Sequence, residues 1–292
     1  MSRIGEALLR RLVVSTRVFR GARAKTIIGD SWADYIRWQY DSSAALFAKY
    51  RNFDINGKRV LEIGCGTGGR SAYLASAGAR EVVGIDINAA EIDIARELVP
   101  GLYPDVVERC TYHVPSGDAP LDIGTFDVVV LVDCMEHVVS PPAMMKLAYA
   151  YTKPGGHFYF SSVGYYHYLG SHMPLIPFAN VFFSDESIIN VHRWQLSRPD
   201  YVPNRFDSDP PTARWDGIYD LRDRPGEHLN KLTIREMKRL VRYSPFSRSR
   251  LTVLGFGGRR KLFRVLDPLR HLPVVQEAYH SIVIADCQRD KV

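Results

Sequence analysis

The sequence predicts an α/β protein in which a doubly wound, parallel β-sheet carries an inserted cap. Short apolar segments, typical of buried strands, alternate with helical segments between residues 55 and 163. Alternation at this spacing is typical of parallel sheets with right-handed crossovers. From about residue 164 to 230 the alternation stops, in a stretch rich in Pro, His and aromatic residues. This stretch is too long for a bare loop, which predicts the cap.

Seven strands follow from the pattern of apolar segments. Five are predicted at residues 59–63, 82–85, 110–114, 126–132 and 158–160, with helices at 71–77, 89–98 and 142–151. Thr233, with Glu236 three residues later, predicts the N-cap of a further helix. Closing strands are predicted at 251–256 and 281–285, with a basic insertion between them. We therefore divide the chain into an N-terminal helical segment (1–54), a core (55–163), an inserted cap (164–230) and a C-terminal completion of the sheet (231–292).

The composition fits an ordinary globular protein. Of the 292 residues, 46% are hydrophobic and 24% are charged, and no apolar run is long enough to span a bilayer. The four cysteines form no CxxC pair and show no metal-ligand spacing, which indicates reduced thiols and a cytoplasmic location.

The positive charge is concentrated in two segments. Residues 1–30 contain seven Arg and Lys against two acids, and residues 238–270 contain ten against one. They are either solvated helix faces or contacts to an anionic partner, such as a membrane surface, a phosphorylated carrier or a nucleic acid. Residues 4–13 have helical apolar periodicity, typical of a mitochondrial transit peptide in a eukaryote, a helix on a membrane surface, or a first helix packed on the domain.

A glycine-rich loop, residues 61–69 with the sequence LEIGCGTGG, joins the first strand to the first helix of the core. Glycines allow the backbone to turn tightly and approach a ligand without a Cβ in the way. Gly64, Gly66 and Gly69 also satisfy the GxGxxG fingerprint of dinucleotide-binding proteins. Asp86, at the end of the second strand, suits a ribose diol with either kind of ligand.

Three neighbouring features favour a cofactor other than a dinucleotide. Glu62 directly precedes the glycines, where it would repel a pyrophosphate but attract a cationic aminoacyl group. Asp118 follows the third strand, where an acid can accept a hydrogen bond from an adenine amino group. The fourth strand ends in Asp133 and leads to Glu136-His137, and Lys-Pro-Gly-Gly at 153–156 introduces the fifth.

Residues 60–68, 83–88, 117–118, 126–137 and 153–160 resemble the ordered motifs of class I S-adenosylmethionine (SAM)-dependent methyltransferases. The resemblance covers roughly residues 55–163 and implies a Rossmann-like, seven-stranded sheet with SAM as cofactor. It implies that Asp86 binds the ribose, Ile87 the adenine face and Asp118 the adenine amine. It places the methionine moiety in the glycine loop and implies cofactor contacts from Glu62, Gly64, Cys65, Gly66, Gly68 and Asp133. The Glu136-His137 dipeptide and the Lys-Pro-Gly-Gly turn are most similar to small-molecule O-methyltransferases, including the ubiquinone-biosynthesis type.

Methylation of a hydroxyl requires removal of its proton, and the sequence offers two groups of candidates. Asp133, Glu136 and His137 share one face if the chain turns helically, which suits a general base or a divalent metal ion. Some members of the class place a Glu-x-x-Glu-His metal site here, whereas the first acid in this chain is the shorter Asp133. The alternative is that Glu136 and His137 only orient the loop. His167 and His172 are the cap histidines nearest the fifth strand, and we take both as base candidates.

The sequence therefore predicts a SAM-dependent O-methyltransferase that acts on a small molecule or a glycan, including anionic acceptors. Peripheral membrane contact through the basic segments is part of this prediction. The basic segments also favour an RNA methyltransferase, but the sequence has no recognisable RNA-binding module and no Asn-Pro-Pro-Tyr-like signature. A dinucleotide-dependent oxidoreductase is the other enzyme alternative. A non-catalytic binding protein is disfavoured because the glycines and acids are intact.

Overall fold

A seven-stranded mixed sheet forms the centre of the computed structural model, which describes residues 2–15, 31–48, 54–115, 120–168, 170–173, 175–199, 229–255, 272–280 and 282–291. The strands are β1 (Arg59–Ile63), β2 (Glu81–Ile85), β3 (Cys110–His113), β4 (Phe126–Val132), β5 (Thr152–Ser162), β6 (Arg248–Leu254) and β7 (Ile282–Gln288). Their order is β3-β2-β1-β4-β5-β7-β6. Strands β1 to β5 are parallel, and β7 is antiparallel to both β5 and β6.

Nine α-helices lie within the described residues. They are α1 (Ser2–Ser15), α2 (Trp32–Phe47), α3 (Gly69–Ser76), α4 (Ala89–Leu102), α5 (Pro141–Tyr151), α6 (Ala179–Phe182), α7 (Asp185–Leu196), α8 (Ile234–Arg242) and α9 (Pro273–Ala278). Short 3-10 turns occupy Pro104–Arg109 and Met135–His137. Both predicted capping residues of α8 act as expected, because Thr233 and Glu236 form a reciprocal capping box.

The two faces of the sheet are covered by different helices because successive strand residues point to opposite faces. Val60 belongs to a buried cluster that includes residues of α2, α3 and α4. Its neighbour Leu61 belongs to a second cluster that includes residues of α5 and α8. The parallel strands are therefore buried on both faces, which explains why their sequences are continuous apolar runs.

The chain reverses its direction of travel across the sheet between β1 and β4. It first runs outward from β1 to β2 and β3, and it then returns to place β4 on the other side of β1. In open α/β sheets, ligands bind beyond the carboxyl ends of the strands at such a reversal. The glycine loop after β1 and the Glu136-His137 turn after β4 therefore lie at the expected binding edge.

Described residues of the predicted cap pack with the N-terminal helix. Leu9 and Val13 of α1 are buried in one cluster with Ile188 and Val191 of α7. The amide of Asn190 donates a 2.8 Å hydrogen bond to the Glu6 carboxylate, which fixes the two helices to each other. The four domain boundaries remain predictions.

The Lys-Pro-Gly-Gly segment lies inside β5 and does not precede it as a separate turn. Phe126 pairs with Thr152, but Val128, two residues later, pairs with His157. The extra residues on β5 form an irregularity in which Gly155 has φ +76°. The strand is thus longer than predicted, because a bulge accommodates residues whose types favour a turn. The predicted basic insertion, at 259–264, lies outside the described residues.

Candidate active site

The glycine loop has a backbone conformation and close contacts that exclude side chains. Gly64, Gly66 and Gly68 have φ values of +73°, +52° and +79°, which favour glycine. A Cβ on Gly64 would lie 2.6 Å from the Cys134 sulfur, and one on Gly68 would lie 2.7 Å from the Tyr112 hydroxyl. The loop therefore packs directly against β3 and against the segment that follows β4.

Asp86 connects the end of β2 to this loop. Its carboxylate accepts hydrogen bonds of 2.8 Å from the Gly66 backbone N–H and 2.9 Å from the Asn88 backbone N–H. Burial raises the pKa of Asp86, and these backbone donors oppose the rise. A carboxylate has about four lone-pair sites, so two backbone donors leave acceptor capacity for a ribose diol.

Glu62 is completely buried at the end of β1. It accepts a 2.5 Å hydrogen bond from the Ser71 hydroxyl and a 3.4 Å one from Arg70 Nη1, which also forms an ion pair with it. Burial raises the pKa of Glu62 to about 7, while the positive charge of Arg70 and the hydroxyl of Ser71 oppose the rise. The carboxylate is therefore only partly ionised near neutral pH.

Arg70 spans the ends of β1 and β4, at the reversal point of the sheet. Its Nη1 also donates at 3.4 Å to the Val132 carbonyl, whereas its buried Nε has no acceptor among the described residues. The end of β1 thus combines the buried carboxylate of Glu62 with the buried guanidinium of Arg70, which retains a hydrogen-bond donor. This pair suits a zwitterionic group with one amine and one carboxylate, which is the chemistry of the methionine end of SAM.

Helix α2 covers the glycine loop. The Thr67 hydroxyl donates a 2.9 Å hydrogen bond to the buried side chain of Gln39. A Cβ on Gly69 would lie 2.3 Å from the Ile36 carbonyl oxygen, so this glycine permits the contact between α2 and α3. The packing of α2 on α3 therefore explains why residue 69, the last glycine of the GxGxxG pattern, is a glycine, and no bound pyrophosphate is needed to explain it.

Asp133 begins the turn after β4 in a left-handed conformation, with φ +50°. The Ser161 hydroxyl donates a 2.9 Å hydrogen bond to its carboxylate. Its backbone N–H donates to the Ser161 carbonyl at 3.1 Å. The side chain is exposed at the carboxyl edge of the sheet, beside the Cys134 that touches Gly64.

Glu136 points into the protein from the same turn and is only 5% exposed. The Ser162 hydroxyl at the end of β5 donates a 2.8 Å hydrogen bond to its carboxylate. Burial raises the pKa of Glu136 to about 8, and the negative charge of Asp133 adds to the rise.

His172 of the predicted cap lies beside this turn. Its ring centre is 4.9 Å from that of His137, at an interplanar angle of 71°. Ligand atoms of Glu136, His137 and His172 all lie within 4.8 Å of one another, and Asp133 is not a member of this group. His172 has φ +55°, a conformation that is costly for a residue with a side chain and that is often found at functional sites.

His167, the other predicted cap base, lies in a different pair. Its ring centre is 5.1 Å from that of His280. His280 accepts a 2.9 Å hydrogen bond from the Gly164 backbone N–H. Burial lowers the pKa of His167 to about 3, and the nearby His280 contributes to the fall. A ring with so low a pKa is neutral at physiological pH and has little tendency to take a proton.

The remaining predicted cofactor residues have different surroundings. Cys65 is buried, and its sulfur would lie 2.8 Å from a Cβ on Gly84, so it packs against β2. Ile87 is 55% exposed just beyond β2, where an apolar side chain can cover a flat ring. Asp118 lies in residues 116–119, outside the described residues.

A family model described as a methyltransferase domain matches residues 35–246, which is more than half of the chain. The chain belongs to this methyltransferase family. The prediction of a class I SAM-dependent methyltransferase with a Rossmann-like, seven-stranded sheet is thereby confirmed.

Curated relatives and solved structures of methyltransferases agree with this assignment. A ubiquinone biosynthesis O-methyltransferase from Aromatoleum aromaticum is 36% identical over 39% of this chain and 47% of its own length. One from Pectobacterium atrosepticum is 34% identical over 37% of this chain and 43% of its own length. The chain thus spans about half the length of the curated relatives it matches.

Two solved structures share the methyltransferase fold at low identity. A SAM-dependent methyltransferase from Mesorhizobium loti aligns with a TM-score of 0.50 at 15% identity, over 87% of this chain and 98% of that one. The phosphoethanolamine N-methyltransferase 2 of Haemonchus contortus aligns with a TM-score of 0.51 at 15% identity, over 97% of this chain and 60% of that one.

Several methyltransferase site residues carry no sequence pattern that identifies them. Arg70 and Ser71 directly follow the glycines, but Arg and Ser are common in the first turn of a helix. Gln39 and Ser162 reach the site only through tertiary packing. Grouping His172 with Glu136-His137 required the path of the chain through the cap, which periodicity does not contain.

Proposed function

We propose that this methyltransferase transfers the methyl group of SAM to a hydroxyl of a small molecule or a glycan. The main observation that supports this proposal is the group of Glu136, His137 and His172 next to the cofactor loop. Cys134, within the same turn, is the residue that a Cβ on Gly64 would strike. Proton-accepting groups therefore lie beside the proposed methionine site, as O-methylation requires. The names of the relatives that match part of the chain support the same reaction.

SAM, when bound, supplies an activated methyl group, so the protein mainly has to align the acceptor and exclude water. The proposed role of Glu62, Arg70 and Asp86 is to bind the cofactor. His137 accepts the hydroxyl proton at a ring nitrogen, and His172 is the second candidate for this step. Buried Glu136, whose carboxyl accepts the hydrogen bond from Ser162, orients the turn that carries His137.

The same three side chains fit a divalent cation, which we propose as the alternative to a protein base at this site. One carboxylate and two imidazoles suit borderline ions such as Co²⁺ or Zn²⁺ better than Mg²⁺. Asp133, the first acid of the predicted metal set, is not among the side chains whose ligand atoms lie within 4.8 Å of one another. A bound cation would lower the pKa of an acceptor hydroxyl and favour its ionised form.

The test measures transfer of radioactive methyl from SAM to a panel of catechols, sugar nucleotides and RNA. His137→Ala and His172→Ala are compared with His157→Ala. In the wild type, the His157 ring is 2.9 Å from the Asp286 carboxylate, where β5 pairs with β7. We expect His137→Ala to lower kcat by about 10²–10⁴ with unchanged S-adenosylhomocysteine affinity, as loss of a general base does. Unchanged turnover in both site variants would contradict the base assignment, and label in RNA alone would contradict the acceptor class.

A chelator distinguishes a mechanism that needs a metal ion from one in which a side chain alone accepts the proton. If a cation is required, excess chelator abolishes turnover and added Co²⁺ or Zn²⁺ restores it. Full turnover in excess chelator would exclude the cation and leave Glu136 and His137 with proton transfer or scaffolding alone.

We also propose a peripheral contact between α1 and an anionic membrane, for a protein located in the cytoplasm. No helix within the described ranges is long and apolar enough to cross a bilayer. One face of α1 is buried on α7, but its opposite face exposes Ile4, Leu8 and Val14 at 80%, 51% and 53%. Arg11 is exposed on that outer face. An exposed apolar helix face that also carries a cation is compatible with a helix that lies in the surface of an anionic membrane.

Vesicle sedimentation tests this contact. The protein should bind vesicles that contain phosphatidylglycerol, and Ile4→Ser/Leu8→Ser should weaken binding while Val107→Ser, a change at another exposed valine, should not. Equal binding of all three proteins would contradict the proposed surface.

A further inference from the structure

Asn230 ties the chain that returns from the cap to the turn that carries Glu136 and His137. Its side-chain amide donates to the Met135 carbonyl at 2.7 Å and to the Val138 carbonyl at 2.9 Å. Its backbone N–H donates to the Glu136 carbonyl at 2.8 Å. One residue therefore binds three carbonyls of a four-residue stretch, across more than 90 positions of sequence.

The side chain of Asn230 is itself held in one orientation. Its carbonyl oxygen accepts a 3.0 Å hydrogen bond from the Leu232 backbone N–H. With the oxygen engaged in this way, the amide nitrogen must point to the turn, and both of its hydrogens have acceptors. An Asn side chain with all these bonds cannot change its rotamer without losing several of them at once.

The residues on either side of Asn230 are anchored in the cap. Leu229 is buried in the cluster that contains α1 and α7 residues. Lys231 forms an ion pair with Asp185 at the start of α7. The Leu232 carbonyl accepts a 2.9 Å hydrogen bond from the Tyr165 backbone N–H. The segment 229–232 is thus a rigid connection between the cap, which carries His172, and the turn, which carries Glu136 and His137.

We infer that Asn230 is a positioning residue that holds Glu136 and His137 in register with His172 of the cap. The inference rests on the proposed function of this group. Residues that orient ligand side chains are typically worth 10- to 100-fold in metal affinity or activity when they are lost. The hydrogen bonds from Asn230 go to backbone carbonyls of the turn and not to the carboxylate or the imidazoles, so its contribution is made through the backbone.

The test compares Asn230→Asp and Asn230→Ala with the wild type and with Asn190→Ala. Asn230→Asp keeps the acceptor for Leu232 but replaces the amide donors with an oxygen that faces two carbonyls. Asn190→Ala is the matched control, because it removes an Asn hydrogen bond of 2.8 Å that joins α7 to α1 and does not involve the turn. The readouts are the NMR signals of isotope-labelled histidine rings, Co²⁺ affinity by calorimetry, S-adenosylhomocysteine affinity and the thermal midpoint.

In both Asn230 variants we expect the ring signals of His137 to shift or broaden, and Co²⁺ affinity to fall about 10- to 100-fold. S-adenosylhomocysteine affinity should stay within twofold, which shows that the fold and the cofactor half are intact. His137 signals identical to the wild type in both Asn230 variants would overturn the inference. If the wild type binds no Co²⁺, the metal proposal fails, whereas the ring signals still decide the role of Asn230.

Discussion

The two halves of the site are built in different ways. The proposed cofactor half consists of Glu62, the glycine loop and Asp86, which lie within 25 consecutive residues and are connected mainly by backbone geometry. The proposed acceptor half brings together Glu136-His137, His172 and Asn230, which come from three separate segments. The first half is a local property of a strand–loop–helix unit, and the second depends on how the cap is placed on the sheet.

This difference has a chemical counterpart. The proposed cofactor has the same structure for every acceptor, so a glycine loop with Glu62 before it and Asp86 beside it can serve any acceptor. The acceptor half has to match one substrate, and it is assembled from the least regular part of the chain. We therefore expect changes in one half to leave the other half largely intact.

The largest expected effect on cofactor affinity is that of Asp86→Ala. The change removes a carboxylate acceptor for the ribose and the 2.8 Å bond that holds the Gly66 N–H. Charge-assisted hydrogen bonds contribute roughly 1.5–3 kcal/mol each, so affinity for S-adenosylhomocysteine should fall by about 10²-fold or more. Calorimetry measures this, and the histidine ring signals of the acceptor half should be unchanged.

Asp93→Ala is the control for this change. Asp93 lies on α4 with a side chain that is 74% exposed, and its one ion pair among the described residues is with Arg96 of the same helix. An equal loss of affinity in both variants, or tighter binding of NADH than of SAM by the wild type, would contradict the assigned role of Asp86.

Most of the fold could be predicted from the sequence, because buried parallel strands and capped helices have local patterns. Strands β1 to β4 begin and end within one residue of their predicted bounds. The prediction differs at β5, where a bulge absorbs Lys153 to Gly156 and the strand continues through residues that favour a turn. Pairing with β4 on either side of this stretch, at Thr152 and from His157 onward, continues the strand in spite of the local propensity.

The site was predictable to different extents in its two halves. The roles assigned to Glu62 and Asp86 stay predictions, but the acidic and glycine positions are brought together as the local spacing indicates. Neither His172 beside His137 nor His167 beside His280 follows from spacing, although both histidines lie in the same short stretch. Only the packing of the cap distinguishes them, and that packing is a long-range property.

The next largest effect is the difference in stability between alanine substitutions at two glycines with similar backbone conformations. Gly57 and Gly68 have φ values of +67° and +79°, but a Cβ on Gly57 meets nothing within 4 Å, whereas one on Gly68 would lie 2.7 Å from Tyr112. Gly57→Ala should cost only the left-handed backbone penalty of about 1–2 kcal/mol. Gly68→Ala should cost about 1–3 kcal/mol more through overpacking, and it should also weaken cofactor binding. Denaturant unfolding and calorimetry measure both, and equal costs would show that the loop has room for a side chain.

The smallest expected effect is a proton released when the cofactor half is occupied. Burial raises the pKa of Glu62 to about 7 from its usual 4.5, so the folded protein retains a proton that the unfolded chain has lost. This group therefore makes folding less favourable as the pH rises from about 4.5 to about 7, and it has no further effect above that range.

A cationic amino group next to Glu62 would favour the ionised carboxylate and lower its pKa. At pH 6.5, binding of S-adenosylhomocysteine should then release a large fraction of one proton, and at pH 8.5 almost none.

Calorimetry in buffers of different ionisation enthalpy measures this release. Glu62→Gln should abolish it, whereas His172→Ala should leave it unchanged because that ring belongs to the acceptor half. A release that persists in Glu62→Gln would assign the proton to another group and remove the proposed contact between Glu62 and the amine.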